Sequence, residues 1–131
     1  MSKMQAKVSD FMTPGPAAVQ LAESLQNAQE TMSRFGIRHL PVRSDGKVVG
    51  ILSARDIAVA KGFKHGNLKQ LTVEDVYEPE VYVTHPGSSL KDVALEMAER
   101  RIGSAVVIDD DDLVGIFTTT DACRALGDVL G

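Results

Sequence analysis

Two seven-residue stretches carry side chains that could do chemistry. Gly50-Ile51-Leu52-Ser53-Ala54-Arg55-Asp56 and Gly115-Ile116-Phe117-Thr118-Thr119-Thr120-Asp121 share one pattern: glycine, two apolar residues, a hydroxyl, two variable positions and an aspartate. The pattern suits a strand running into a helix, with the hydroxyl at the N-cap and the carboxylate in the first turn. It has a purely structural reading, because a Ser or Thr followed three residues later by an acid is a capping box and complements the helix dipole. It also has a binding reading. A helix start presents N–H groups and a field that favours phosphate, and a carboxylate there can accept both hydrogen bonds of a ribose diol. The glycine lets the strand pass close to a ligand or to another backbone.

A second segment, Ile37-Arg38-His39-Leu40-Pro41-Val42, leads into a strand and points to the same place. Ile37, Leu40 and Pro41 could form a slot for a flat base. Arg38 and His39 place charge beside it, and Arg55 adjoins the carboxylate. The alternative is that Ile37, Leu40 and Val42 are core and that His39 is an ordinary surface residue.

Other reactive residues point nowhere in particular. Cys123, between Ala122 and Arg124 and close to Ala125, is expected to be a small buried hydrophobe with no base beside it. His65 and His85 form no metal-binding spacing. Asp109 to Asp112 reads as a solvated hairpin turn and lacks the glycine of a calcium loop. Met12, Met32 and Met97 read as core filler. With no nucleophile–base pair, metal set or Walker loop, catalysis is not expected.

The elements that must position these residues occur twice. Shifting the chain by 65 residues superposes Val8 on Val73, Asp10 on Asp75, Ser24-Leu25 on Ser89-Leu90, Met32 on Met97, Gly50-Ile51 on Gly115-Ile116 and Asp56 on Asp121. Ser24 caps a helix carrying Leu25, Ala28, Met32 and Phe35, and Ser89 caps its counterpart with Leu90, Val93 and Met97. Gly36 stops the first helix and Gly103 lies just past the second. Strands follow at His39 to Arg43 and Ser104 to Ile108. A turn at Ser44-Asp45-Gly46-Lys47 comes next, then strands at Val48 to Leu52 and Leu113 to Phe117, then helices from Ala54 and Thr119. Short leading helices are expected at Ala6 to Met12 and Val73 to Tyr77. Residues 1–60 form the first repeat, 61–71 a connector and 72–131 the second. One copy alone would leave a sheet face wet, so a single compact module with pseudo-two-fold symmetry is expected.

Bulk properties exclude several classes. The 131 residues are 44% hydrophobic and 24% charged, which is globular composition, and with 5% aromatics and no Trp the core must be aliphatic. A net charge of −4 argues against nucleic acid as the primary partner. The single cysteine rules out an internal disulfide and fits a reducing compartment. MSKMQAKVSD is no signal sequence and no run is long enough to span a membrane, so a cytoplasmic protein is expected.

On VSDFMT, IRHLPV, DGKVVGI and SARDI in the first copy, and VEDV, SLKDVALEMAERRIGSAVVID, LVGI and TTTD in the second, the chain resembles a tandem pair of cystathionine β-synthase (CBS) domains, a Bateman module. The resemblance implies an α/β fold (α+β by some schemes) of two β-α-β-β-α repeats with clefts between them. It implies a regulatory module that binds AMP, ADP, ATP or S-adenosylmethionine, needs no cofactor, forms homodimers and acts on a separate, unknown effector protein. An interaction or dimerisation module with empty sites is the alternative. Asp56 and Asp121 match the ribose carboxylates. Ser53, Arg55, Thr118 and Thr120 match neighbouring ribose or phosphate contacts, and Arg38 and His39 match phosphate contacts. Ile37, Leu40, Pro41 and the backbone of Pro16, Ala17 and Ala18 match the base wall. Its second-copy counterpart is Val81, Tyr82, Val83, Ile102, Ala105 and Val106. Gly103 and Ser104 replace the cationic pair, so the copies should be unequal, with more phosphate-binding charge in the first unless Arg100 or Arg101 reaches the second.

Overall fold

The computed structural model describes residues 5–15, 17–63 and 67–131. The elements are β1 (Thr13–Pro14), β2 (Val19–Gln20), α1 (Leu25–Phe35), β3 (His39–Ser44), β4 (Lys47–Ser53), α2 (Ala54–Phe63), β5 (Val83–Thr84), α3 (Leu90–Arg100), β6 (Ser104–Asp109), β7 (Asp112–Thr118) and α4 (Thr119–Leu130). This is the expected α/β order, met twice. The first stretch of the expected connector belongs to α2, and His65 lies outside the described residues.

Local chemistry sets the helix ends. Ser24 Oγ accepts from the Asn27 N–H at 3.0 Å, and Ser89 Oγ from the Asp92 N–H at 3.3 Å. Leu25, Ala28 and Met32 form the buried stripe of α1; Leu90, Val93 and Met97 form that of α3. Helix α1 stops on Gly36 in the left-handed conformation (φ 64°), with the Ile37 N–H returning to the Met32 carbonyl at 3.0 Å. Helix α3 ends just before Gly103, as expected, but without a glycine cap. Arg101 takes the left-handed cap (φ 55°), and the Ile102 N–H returns to the Met97 carbonyl at 3.1 Å. The repeat register places Arg101 opposite Gly36, and the shared architecture overrides the preference for glycine.

The expected leading helices are also shorter than their apolar spacing suggested. Only three-residue 3-10 turns form, at Val8–Asp10 and Val73–Asp75. So short a segment nucleates poorly on its own. Its amides are spent outward instead: Val8 N–H on the Ser88 carbonyl and Ser9 N–H on the Pro86 carbonyl, both at 3.0 Å, and Val73 N–H on the Glu23 carbonyl at 2.9 Å.

Three strands form one sheet in the order β2-β3-β4, and four form the other in the order β1-β7-β6-β5. In each, a parallel edge pair (β2 with β3, β5 with β6) adjoins an antiparallel hairpin. The hairpin turns are two-residue loops with both φ angles positive, Asp45 at 51° and Gly46 at 77°, then Asp110 at 49° and Asp111 at 67°. The acidic run is thus the expected turn, and His85 Nε2 lies 3.4 Å from its Asp109 carboxylate.

Compact units do not follow the sequence repeats. One unit is Ala17–Val81; the other is Met1–Pro16 with Tyr82–Gly131. Each repeat's leading segment therefore packs in the other repeat's unit. Thr13 and Pro14 pair with Ile116 and Gly115, and Glu78 pairs with Ile51. Lys7 bridges Ser89, and Thr72 bridges Ser24. The first unit's core gathers Leu25, Leu40, Val42, Leu52, Ile57 and Val73; the second gathers Val8, Val93, Ala105, Val107, Phe117 and Ala125.

Candidate functional site

Both seven-residue patterns fold as strand into helix, and both aspartates close capping boxes. In the first unit Ser53 N–H donates to Asp56 Oδ2 at 2.9 Å, while Asp56 N–H donates to Ser53 Oγ at 3.0 Å. In the second, Thr118 N–H donates to Asp121 Oδ2 at 2.9 Å and Asp121 N–H to Thr118 Oγ1 at 3.4 Å. The helix-opening amides are engaged as well. Ala54 N–H donates to the Arg38 carbonyl at 2.8 Å, and Thr119 N–H to the Gly103 carbonyl at 3.1 Å. These bonds fix Arg38 and Gly103 beside the two carboxylate-bearing turns and leave fewer N–H groups for an anion than an uncapped helix start would offer.

The two carboxylates differ in access. Asp56 is half-buried, and among the described residues its Oδ1 accepts no hydrogen bond. Asp121 is 2% exposed. Its Oδ2 also accepts from Thr118 Oγ1 at 3.1 Å, and its Oδ1 from Thr13 Oγ1 at 3.4 Å and Arg124 Nη1 at 3.1 Å.

Strand alternation sorts the remaining candidates. Leu40 and Val42 face the helices within the first core, as do Ala105 and Val107 within the second. The Leu40 and Ala105 side chains are thereby committed to packing, which corrects the expectation that they line a base slot. Pro41 and Val106 are buried on the opposite sheet faces. On the first of those faces His39 sits across from Ser53 and Pro41 across from Ile51. On the second, Ser104 sits across from Thr118, and Val106 lies between Val83 and Ile116. Ala17, Ala18, Ile37, Val81, Tyr82, Ile102 and Gly103 are half-buried; Arg38, Arg55, Val83 and Thr120 are exposed. Pro16 lies outside the described residues.

Within the first unit a cavity of about 410 Å³ joins Ile37, Arg38 and Ala54 to Gln29, Ser33 and Gly36 of α1 and its cap. Burial pulls the His39 imidazole below its ordinary pKa; the Asp56 carboxylate opposes this and the Arg38 guanidinium adds to it. In the second unit the Arg100 guanidinium lies 5.0 Å over the Tyr82 ring, so a cation does reach a predicted wall residue there. The glycine at position 50 and its repeat counterpart at position 115 are explained by the close approach of other chain segments. A Cβ on Gly50 would strike the Glu78 carbonyl and the Tyr77 ring, and one on Gly115 would lie 2.6 Å from Met12 Sδ.

Sequence reasoning missed Arg124 and Thr13. A cation three residues after an N-terminal aspartate is a visible signal for the first, but nothing local marks the second, 108 residues from its partner. Cys123 is an exposed free thiol, not the small buried hydrophobe expected, because Asp121 and Ala125 occupy the inward face of α4. Among the described residues no cluster of three or more metal-binding side chains occurs and no helix is long and apolar enough to cross a membrane.

The duplicated chain has a clear relation among known proteins. The CBS domain family matches residues 8–61 and again residues 73–128. The chain belongs to the CBS domain family. This CBS domain pair is 31% identical over 116 residues to the CBS domain-containing protein YhcV of Bacillus subtilis, covering 88% of this chain and 82% of that one. It is 30% identical over 128 residues to MJ1225 of Methanocaldococcus jannaschii, covering 89% of this chain but only 46% of that protein. The chain spans only about 24% of the related homoserine O-acetyltransferase of Methanohalobium evestigatum. The CBS domain pair of MJ0100, solved in complex with 5′-methylthioadenosine and S-adenosyl-L-methionine, superposes with a TM-score of 0.85 at 29% identity, covering 94% of this chain and 97% of that one. CBSX2 in complex with AMP superposes with a TM-score of 0.80 at 27% identity, covering 95% and 98%.

Proposed function

We propose that this CBS domain pair is a non-catalytic regulatory sensor of adenosine-containing ligands, AMP, ADP, ATP or S-adenosylmethionine. The carrying observation is Asp56: a half-buried carboxylate opening α2, with one oxygen unclaimed among the described residues. Arg38 is fixed beside it by the Ala54 amide, and His39 faces Ser53 across the strand pair. In this reading Asp56 accepts the ribose diol and Ser53 and Arg55 support the sugar. Arg38 and His39 meet a phosphate or the sulfonium ligand's carboxylate, and Ile37, Pro41, Ala17 and Ala18 flank the base. No cofactor is needed, because binding alone shifts the population of states an effector recognises. The ligands in the MJ0100 and CBSX2 complexes support the adenosine class. A free thiol at Cys123 supports a reducing, cytoplasmic setting.

Thermal shift and calorimetry with AMP, ADP, ATP and S-adenosylmethionine test the reading. At least one should stabilise the wild type, and Asp56→Ala should abolish that stabilisation while leaving a folded protein. A wild type indifferent to all four ends it.

A homodimer is the second part of the proposal. Helix α4 leaves Leu126, Val129 and Leu130 exposed, and an apolar groove of about 330 Å³ joins Leu126 and Val129 to Leu90, Ala94 and Phe117 within the second unit. Light scattering on Leu126→Glu should show monomers where the wild type shows dimers.

A further inference from the structure

The two aspartates hold equivalent positions in the repeat but are not equivalent acceptors. An ionised carboxylate offers roughly four lone-pair sites. At Asp121 four donors fill them: Thr118 N–H and Thr118 Oγ1 on Oδ2, Thr13 Oγ1 and Arg124 Nη1 on Oδ1. At Asp56 one described donor, Ser53 N–H, is present. Of the three further donors on Asp121, Thr118 Oγ1 has a counterpart hydroxyl in Ser53, and the other two are missing from the first unit for a reason written in the sequence. Under the 65-residue shift Thr13 corresponds to Glu78 and Arg124 to Val59. Val59 cannot donate, and the Glu78 carboxylate accepts from the Glu80 N–H at 2.9 Å instead of donating to anything.

We propose that Thr13 and Arg124 form an internal clasp that occupies the second-repeat carboxylate, so that each chain takes a single adenosine ligand, through Asp56. This rests on the reading above that a ribose is held by these carboxylates. A diol must displace a hydroxyl and a guanidinium to reach Asp121, whereas no described residue donates to Asp56 Oδ1. Thr13 comes from the leading segment of the first repeat. The selector is thus a contact supplied by one repeat to the carboxylate of the other.

Carbodiimide labelling of carboxylates, read by peptide mass spectrometry, tests the clasp without any ligand. In the wild type Asp56 should be modified several-fold faster than Asp121. Thr13→Val with Arg124→Val should close most of that gap. Arg124→Val alone, which installs the first repeat's own residue at a site 65% exposed, keeps the fold as a second variant and should close part of it. Calorimetry with AMP and with S-adenosylmethionine then counts sites: one per wild-type chain, lost in Asp56→Ala, kept in Asp121→Asn, and a second gained in the double variant. Equal labelling of Asp56 and Asp121 in the wild type overturns the clasp. So does a wild-type ligand that disappears in Asp121→Asn and persists in Asp56→Ala. If neither compound binds the wild type, the sensor reading falls, and the labelling rates alone still decide the clasp.

Discussion

His39 reports on its surroundings through a titration whose sign is fixed. Burial lowers its pKa below the ordinary 6.5, because the protonated ring loses hydration. The unfolded chain therefore takes up the proton first as pH falls. Stability from this group is complete above about pH 6.5, declines as pH drops from there to the folded pKa, and is level below it. Asp56 and Arg38 act on the ring in opposite directions. Asp56→Asn should move the His39 titration lower still, and Arg38→Gln should move it higher. Two-dimensional NMR of the imidazole through a pH series measures both; an upward move in Asp56→Asn would place the carboxylate away from the ring. That IRHLPV and the SARD junction converge on one place was legible in the sequence, since one leads into a strand and the other opens the helix after its neighbour, and His39 does sit across from Ser53. The state of Asp121 was not. Its partners lie three and 108 residues away, and only the fold brings Thr13 to it.

At the scale of elements, the repeat constrains backbone positions that propensity alone would assign differently. Gly50 and Gly115 occupy the same point of β4 and β7, yet a side chain meets different obstacles at each. At Gly50 the obstacles are the Glu78 carbonyl, which cannot yield without moving backbone, and the Tyr77 ring; at Gly115 the nearest is the flexible Met12 side chain, with the Thr13 carbonyl farther off at 3.0 Å. Gly50→Ala should cost about 1–3 kcal/mol in urea denaturation, as overpacking does, and Gly115→Ala measurably less. The hairpin turns supply the opposite case. Asp111 holds φ at 67° where the first turn uses Gly46 at 77°. Asp111→Gly should stabilise the protein by roughly 0.5–1 kcal/mol by removing left-handed strain, and it also thins a run of four carboxylates. A lower midpoint for Asp111→Gly would mean that the acidic turn, with His85 against Asp109, contributes more than its strain costs. Strands and caps were readable here because the apolar period and the Ser and Asp-Gly signals agree. The Arg101 cap was not, because glycine two residues later is the better local candidate and only the register of the whole repeat excludes it.

For the whole molecule, the decisive feature is which unit each leading segment completes. A duplicated sequence cannot reveal this. Val8 and Val73 are matched residues, and their types do not say which core each one fills. Chain connectivity decides, and the structure puts Val8 in the core with Val93 and Phe117, and Val73 in the core with Leu25 and Leu52. Both are fully buried. Val8→Ala and Val73→Ala should each cost about 2 kcal/mol, from lost apolar burial and the void left behind. Their local consequences should be opposite. Leu90 N–H donates to the Ala6 carbonyl and Val8 N–H to the Ser88 carbonyl, both at 3.0 Å, so Val8→Ala should speed hydrogen exchange at the start of α3 and along β7. Leu25 N–H donates to the Leu71 carbonyl at 2.8 Å and Val73 N–H to the Glu23 carbonyl at 2.9 Å, so Val73→Ala should do the same to α1 and β4. Each substitution thus loosens the repeat to which its residue does not belong in sequence. If Val8→Ala instead accelerates exchange in α1 and leaves α3 protected, the leading segments are not exchanged. Thr13 then has no route to Asp121, and the proposed clasp fails with them.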